Sequence, residues 1–308
     1  MMIDSHHDID EALVRALLRE QHPDLAGREL RLAATGWSNQ LWRLGEDLAV
    51  RLPRRESAAP EALKEQRWAP EVVPGLPLPV PLPVRAGAPS AHFPWHWSVV
   101  AWVPGEPADR APITDGPHAA AELARFLRAL HRPAPPGVPG HAYQAAPLRT
   151  LGVLPGMEDD PAVLAVQRDP ALRAVWEDAV AAPDWSGTPV WLHGDLHPAN
   201  VVVNGGTLAG VVDFGELCGG DPAIDLAAAW LLLPAGADVS FLAAYGAADE
   251  AAVRRARGLA LTKALALIGI GRAGELGRPG GQPTWGPAGR AVIERLRGAA
   301  PAVHPLPE

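Results

Sequence analysis

Residues 191–216 read WLHGDLHPANVVVNGGTLAGVVDFGE, and the fold is decided by this stretch. Asp195 and Asn200 stand five positions apart in a polar loop. Two valine-rich runs follow, separated by Asn204-Gly205-Gly206, which is a strong turn signal and predicts a β-hairpin. Asp213 then begins an Asp-Phe-Gly directly after the hairpin. A loop, a hairpin and a second aspartate form a specific pattern, because all three must occur together, in this order and at this separation.

This pattern predicts phosphoryl-transfer chemistry. Such chemistry needs an oriented acceptor hydroxyl, neutralised charge and hard oxygen ligands for Mg²⁺. In kinases, a catalytic-loop aspartate orients the hydroxyl, while an asparagine five residues later and the aspartate of Asp-Phe-Gly bind the metal. We therefore predict that Asp195 is catalytic and that Asn200 and Asp213 hold Mg²⁺.

A metal-hydrolase site is the alternative for the same loop. His193, Asp195 and His197 alternate like metal ligands. The further histidine, cysteine or glutamate ligands that a zinc site requires do not follow nearby. A second alternative is that the stretch is a polar turn without chemistry.

Composition indicates a globular enzyme of 308 residues, with 48% hydrophobic and 20% charged residues. The net charge of −8 offers no basic patch, so we expect neither a nucleic-acid nor a membrane partner. Cys218 is the only cysteine, and the N-terminus is acidic rather than signal-like. These features predict a cytoplasmic protein without an intramolecular disulfide.

The order of predicted elements indicates an α+β fold. A helix at 9–20 precedes a three-strand meander within 28–55, a helix after Pro60, and a strand in 95–106. The proline-rich segment 75–84 predicts an extended connector with an edge strand at best. From Gly105 onward the pattern is mostly helical, with helices expected near 116–132, 161–167, 171–182, 222–233, 238–247, 250–273 and 287–298.

Three motifs resemble the aminoglycoside phosphotransferase family of small-molecule kinases: HGDLHPAN at 193–200, VVDFGE at 211–216 and GDPAIDLA at 220–227. Residues 36–55 resemble a branch of it that includes antibiotic phosphotransferases, and macrolide kinases have a similar arginine-rich strand. The resemblance implies a protein-kinase-like two-lobed fold. It implies a β-rich nucleotide-binding N-lobe at 1–103 and a helical C-lobe at 104–308, which carries the catalytic loop, metal site and acceptor pocket.

The resemblance also implies roles for individual residues. Asp195 would orient the acceptor hydroxyl or accept its proton, and His193 and Asp225 would brace the catalytic loop. ATP or GTP would be the donor, with Mg²⁺. Its triphosphate would lie under a turn, and its base would meet backbone groups of a hinge. The turn contributes Gly36, Trp37, Ser38 and Asn39, and the hinge contributes Ala101, Trp102 and Val103.

The strand cation departs from the kinase pattern. Kinases usually place a lysine on the third strand, where it pairs with phosphates and with a helix glutamate. Arg51 stands there in this chain, and arginine can supply the charge and bidentate contacts. Glu65 is its predicted partner and Glu61 the alternative. An ordinary strand arginine is the other interpretation of Arg51.

The acceptor is expected to be a small molecule, with antibiotics as the leading class. Glu158-Asp159-Asp160 and Glu216 would suit an ammonium-rich aminoglycoside, or be solvated surface. A macrolide or another bulky alcohol would instead meet tryptophans, which are also common in cores. A metabolite kinase and a catalytically silent nucleotide-binding protein remain alternatives. The tryptophans in question are Trp185, Trp230 and Trp285.

Overall fold

The computed structural model describes residues 7–140, 148, 161–278 and 280–298. The chain divides into two compact units, which are described separately. The sheet unit contains residues 1–105 and 209–217, and the helical unit contains 106–208 and 218–308. The predicted division at residues 103/104 stays a prediction. The predicted residues 158–160 lie outside the described ranges.

The sheet unit contains a five-stranded antiparallel sheet in the order β1-β2-β3-β5-β4. The predicted meander is confirmed, and the proline-rich segment forms only an edge strand, as expected. Because prolines remove ladder donors, an edge position suits that segment. The elements are α1 (Glu11–Gln21), β1 (Leu30–Thr35), β2 (Asn39–Leu44), β3 (Leu48–Pro53), α2 (Ala59–Val72), β4 (Pro83–Gly87) and β5 (Trp97–Ala101).

One face of this sheet packs against α1. The helix begins at its cap Asp10, which accepts a hydrogen bond from the Leu13 amide at 2.8 Å. Its apolar stripe then enters the core of the unit, and burial of that stripe stabilises the helix more than its own propensity does. The core includes Val14, Leu17, Leu18, Leu44, Leu52, Phe93, Trp97 and Val99.

The helical unit is built mainly from helices, as the sequence predicts. The expected helix at 222–233 forms as two short helices, and Ala227 between them keeps right-handed helical dihedrals, with φ −55° and ψ −23°. The helices are α3 (Gly116–Leu130), α4 (Pro161–Arg168), α5 (Pro170–Ala181), α6 (Ala223–Leu226), α7 (Ala228–Leu231), α8 (Ala237–Tyr245), α9 (Glu250–Glu275) and α10 (Trp285–Gly298). None of the helices in the described ranges has the length and hydrophobicity of a membrane span.

Short strands frame the loop that carries the central motif. β7 (Val190–Leu192) pairs antiparallel with β10 (Cys218–Gly220), and β6 (Glu106–Pro107) pairs with β8 (Val201–Asn204). β9 (Thr207–Val211) completes the predicted hairpin, with both glycines of its turn at positive φ. The two-residue strand β6 and the strand β10 carry no alternation long enough to predict from sequence.

Candidate active site

The backbone of residues 193–200, the predicted catalytic loop, is held by Asp225. Its Oδ2 accepts the His193 N–H at 2.7 Å, and its Oδ1 accepts the Gly194 N–H at 2.9 Å. The carboxylate is fully buried, and His131 Nε2 lies 3.3 Å from Oδ2. Buried N–H groups must find acceptors, so this one side chain fixes the start of the loop. The geometry supports the bracing role that was predicted for Asp225.

His193 and His197 are both buried and turned to the loop itself. The His193 ring accepts the Asp195 N–H at 3.2 Å through Nδ1. His197 Nδ1 accepts the Ala199 N–H at 3.3 Å, while its Nε2 lies 3.4 Å from Asp195 Oδ2. Among the described residues no cluster of three or more potential histidine, cysteine or carboxylate ligands forms. The metal-hydrolase interpretation therefore has no ligand set in this part of the chain.

The two carboxylate oxygens of Asp195 have different partners. Asn200 Nδ2 donates to Oδ2 at 3.0 Å and to the Asp195 carbonyl at 2.9 Å. The Oδ1 atom accepts a hydrogen bond from the ammonium group of Lys263. About a quarter of the Asp195 side chain is exposed, at 24%. Asp195 is thus an oriented, accessible carboxylate, and Asn200 is held beside it as the five-residue spacing predicts.

Lys263 is a neighbour of this carboxylate that sequence reasoning missed. It lies on α9, on a helical turn against which α10 packs closely. A Cβ at Gly289 of α10 would lie 2.7 Å from the Ala264 carbonyl oxygen, so glycine is what permits this approach. Trp285, at the start of α10, contacts the His197 ring edge-to-face at a centroid distance of 4.7 Å. Helical periodicity alone does not show that Lys263 faces Asp195.

Ionisation of Asp195 is favoured despite the burial of its carboxyl group. Burial raises the pKa of this carboxyl, but the charge of Lys263 and hydrogen bonds from Lys263 and His197 more than offset that effect. The net result is a pKa well below the ordinary aspartate value. Asp195 is therefore a carboxylate at neutral pH, as a residue that orients a hydroxyl must be.

In the sheet unit, Asp213 has a strained backbone. Its φ of 63° is the only positive value of a non-glycine residue within the described ranges. Such a conformation costs of order 1–3 kcal/mol and persists where surrounding contacts enforce it. The side chain accepts the Gly215 N–H at 3.3 Å and is 38% exposed. Strain at an exposed carboxylate is consistent with a functional position.

Arg51 joins two carboxylates of the sheet unit. Its guanidinium donates to Oε2 of Glu65 on α2 and to Oδ1 of Asp213. Glu65 is only 2% exposed, so the ion pair is desolvated. Burial opposes the charge of Arg51, but Asp213 and Glu65 raise its pKa above the ordinary value. The predicted Arg51–Glu65 pair is present, and Arg51 is not an ordinary exposed strand arginine.

Glu61 lies beside the Asp213 carboxylate, and its pKa is raised. Burial raises its pKa to about 8, and the negative charges of Asp213 and Glu216 contribute. An added Cβ at Gly215 would lie 3.1 Å from Glu61 Oε2 and 3.2 Å from Asp213 Oδ1. Glu61 thus faces the Asp-Phe-Gly backbone, whereas Glu65 is the partner of Arg51. Sequence spacing alone did not determine whether Glu61 or Glu65 pairs with Arg51.

The predicted phosphate turn is tied to the end of β3. Gly36 N–H donates to the Asn39 carbonyl at 2.8 Å, and the turn carbonyls accept from two arginine side chains. Arg54 Nη1 reaches Gly36 O at 2.8 Å, and Arg55 Nη2 reaches Trp37 O at 2.7 Å while its guanidinium lies 4.6 Å from the Trp37 ring centre. Within the part of the chain that the structure describes, the side-chain Nδ2 of Asn39 has no hydrogen-bond partner. Ser38 also contributes its carbonyl, to the Arg54 N–H at 2.9 Å.

The predicted hinge needs a correction. Ala101 N–H already donates to Leu82 O at 3.2 Å, and Trp102 N–H donates to Asp47 O at 2.8 Å. Neither can therefore donate to a nucleotide base as expected, because β-sheet pairing and a turn use both groups. Val103 is the remaining predicted donor. The Trp102 ring is covered by the Arg43 guanidinium at 4.2 Å.

The predicted acceptor contacts also change. Trp230 is 1% exposed, so of the two interpretations left open for it the structure supports a place in the core. Glu216 lies 3.6 Å from Lys64 and is already paired. Trp185 is exposed at the surface. Trp285, which contacts His197, is the predicted tryptophan that lies at the catalytic loop.

The sequence profile of the phosphotransferase enzyme family (APH) matches residues 29–259, which is most of the chain. The chain belongs to this family. This phosphotransferase is accordingly an enzyme that acts on hydroxyl acceptors, with the kinase-like α+β fold that the sequence predicts. A search of curated proteins found no match.

Several solved structures share the fold of this phosphotransferase. An aminoglycoside 2'-phosphotransferase-IIIa in its GDP complex is 20% identical, with a TM-score of 0.68 over 94% of this chain and 99% of that one. Macrolide 2'-phosphotransferase MphH from Brachybacterium faecium is 22% identical, with a TM-score of 0.57 over 91% and 98%. A type I macrolide 2'-phosphotransferase is 19% identical, with a TM-score of 0.58 over 97% and 99%.

Proposed function

We propose that this phosphotransferase moves the γ-phosphoryl group of ATP or GTP, with Mg²⁺, to a hydroxyl of a small molecule. Asp195 orients that hydroxyl and accepts its proton as the oxygen attacks phosphorus. The observation that carries the proposal is the geometry of Asp195, whose carboxylate is ionised, accessible and fixed by Asn200.

Magnesium fits the donor atoms of two predicted ligands, each considered in its own unit. The Asn200 amide nitrogen is directed to Asp195, so its oxygen is turned to the other side and is available to a hard cation. Asp213 offers a partly exposed carboxylate on a strained turn. Mg²⁺ prefers such oxygens and completes its shell with water and phosphate oxygens. When bound, it would neutralise charge on the donor phosphates.

For the nucleotide, we propose Arg51 as the phosphate cation and the turn at Gly36, Trp37, Ser38 and Asn39 as the phosphate cover. The guanidinium is held by Glu65 through Nη1 and donates to Asp213 through Nη2, so a phosphate oxygen would bind it in exchange for the Asp213 carboxylate. The side-chain amide of Asn39 supplies one more donor to the turn. Val103 is the proposed contact to the base. Related folds crystallised with GDP, ATP and ADP support a nucleotide donor.

For the acceptor, aminoglycoside and macrolide antibiotics are the first classes to test, because structures with this fold include kinases of both. Metabolite alcohols form the second class. The test is mass spectrometry of these acceptors after incubation with the protein and Mg-ATP or Mg-GTP. We expect one acceptor to gain a single phosphoryl group.

Two variants complete this test. Asp195→Asn should lower transfer by about 10³-fold or more, because the catalytic base is lost. Glu177→Gln removes one negative charge from an exposed site on α5 and should transfer at the wild-type rate. Equal transfer by wild type and Asp195→Asn would disprove the mechanism. Nucleotide binding without product from any acceptor would favour the catalytically silent alternative.

A further inference from the structure

Lys263 stands at the one carboxylate oxygen that the acceptor must approach. Asp195 Oδ2 is already shared by Asn200 and His197, whereas Oδ1 is bonded to the Lys263 ammonium. Lys263 is 26% exposed, so its charge reaches the solvent side of the loop. An acceptor hydroxyl that binds Oδ1 must therefore come close to this ammonium group.

Lysine is rare in this chain, so its presence here is informative. Lys64 and Lys263 are the only lysines, and all the other basic side chains apart from histidine are arginines. An ammonium is a compact point charge, whereas a guanidinium is broad and binds a carboxylate in bidentate fashion. Lys263 therefore places a compact positive charge at Oδ1.

The helix that carries Lys263 has no acidic residue within two turns of this lysine. Its only acidic residues are Glu250 and Glu275 at the two ends. Residues one turn from Lys263 on either side, Leu259 and Leu267, are apolar. The helix contains five cations, which are Arg254, Arg255, Arg257, Lys263 and Arg272.

Acidic side chains near the loop are already neutralised or buried. Arg255 pairs with Asp221 at 2.7 Å, and Asp225 is committed to backbone amides of the loop. The Asp195 charge itself is cancelled by Lys263. A cationic acceptor would therefore find no exposed, unpaired carboxylate among these three groups, because Asp225 is fully buried, although the chain as a whole carries −8.

We infer that Lys263 determines acceptor specificity: it excludes compounds with an ammonium group next to the reacting hydroxyl and selects uncharged hydroxyl compounds. The inference rests on the proposed function, since it treats Asp195 Oδ1 as the site of the acceptor hydroxyl. A neutral sugar or alcohol displaces the lysine from Oδ1 without charge repulsion. An amino sugar would bring a like charge within a few ångströms of Nζ, where the interaction is weakly screened.

The test is isothermal calorimetry with two matched probes, kanamycin and its fully N-acetylated, uncharged derivative. Lys263→Met removes the ammonium that both probes must displace, so both should gain affinity, and kanamycin should gain at least about tenfold more than the acetylated compound does. Lys263→Arg keeps the charge and should keep the discrimination. Arg173→Met, an exposed charge change in the same unit, controls for net charge.

The possible outcomes separate this inference from the proposed function. Equal kanamycin affinity of Lys263→Met and Arg173→Met, including no binding by either, overturns it. So does an equal gain for both probes, because size rather than charge would then be the cause. Lys263→Gln, with thermal unfolding measured, replaces the methionine variant if that one does not fold. Failure of phosphoryl transfer with the charge-dependent binding intact would count against the proposed function alone.

Discussion

The guanidinium of Arg51 donates a hydrogen bond to Oδ1 of Asp213, which connects strand β3 to the first residue of Asp-Phe-Gly. The same guanidinium holds the buried Glu65 carboxylate. One arginine therefore both neutralises a buried charge and contacts the proposed metal ligand. The first prediction below tests the pairing of Arg51 with Glu65, and the second tests the Asp213 carboxylate.

Arg51→Met should lower the free energy of unfolding by about 3–5 kcal/mol, because it leaves Glu65 as an unpaired buried charge. Urea unfolding measures this loss. The double variant Arg51→Met/Glu65→Leu removes both charges and should recover most of the stability. A single variant as stable as the wild type would show that Glu65 is not held by Arg51.

Asp213→Gly and Asp213→Ala should differ in stability while sharing a functional loss. Both remove the carboxylate, so both should lose the magnesium-dependent part of nucleotide affinity. Glycine adopts a φ of 63° without strain, whereas alanine does not, so the glycine variant should be the more stable by about 1–2 kcal/mol. Calorimetric nucleotide titration with and without Mg²⁺, beside urea unfolding, checks both parts. Undiminished magnesium dependence would remove Asp213 from the metal site.

Glu61 should make stability fall as pH rises, in metal-free solution. Its folded pKa of about 8 lies above the ordinary value of 4.5, so the folded state holds a proton that the unfolded state releases between those two values. The stabilisation is complete below pH 4.5 and is lost as pH rises through 8. Glu61→Gln should therefore be more stable than the wild type at pH 8, by roughly 4 kcal/mol, and similar at pH 4.5.

Thermal unfolding across this pH range measures the Glu61 effect. Glu20→Gln, at an exposed position of α1, serves as the control and should follow the wild-type curve. A pH dependence that persists unchanged in Glu61→Gln would assign the effect to another group.

Asp225→Asn should destabilise the catalytic loop. The substitution turns an amide group toward the His193 and Gly194 N–H groups, so one of these buried donors loses its acceptor. A loss of about 1–3 kcal/mol in unfolding free energy is expected. Urea unfolding measures it, with the exposed Glu177→Gln as reference. Wild-type stability of Asp225→Asn would show that the loop is held by other contacts.

Local sequence was sufficient for much of the site. The separation of Asp195 and Asn200 is short enough that one loop fixes it, and the Asn204-Gly205-Gly206 turn determines the hairpin before Asp213. Arg51 and Glu65 were also found, since a strand and the helix after it bring their residues together. These features depend on contacts between residues close in sequence or on a motif that includes its own spacing.

Contacts between residues that are distant in the sequence could not be predicted from the sequence. Lys263 follows Asp195 by 68 positions, and its helix is apolar on several sides, so no period indicates which face meets the loop. The backbone N–H groups of Ala101 and Trp102 were expected to bind the nucleotide base, but they donate to the carbonyls of Leu82 and Asp47. Those two acceptors lie outside the predicted hinge, so the hinge sequence does not show that its N–H groups are already used. The place of Trp230 was left open, because an aromatic residue in a helix is compatible with both a core and a pocket.

The sheet unit is assembled from two separate parts of the chain, residues 1–105 and 209–217. During synthesis, Arg51 and Glu65 leave the ribosome well before Asp213, and the whole of 106–208 is made in between. The early segment can pair its arginine with Glu65, but its second carboxylate arrives only late. A nascent chain interrupted before residue 213 thus holds the proposed phosphate cation but lacks a proposed metal ligand, so its proposed donor site is incomplete.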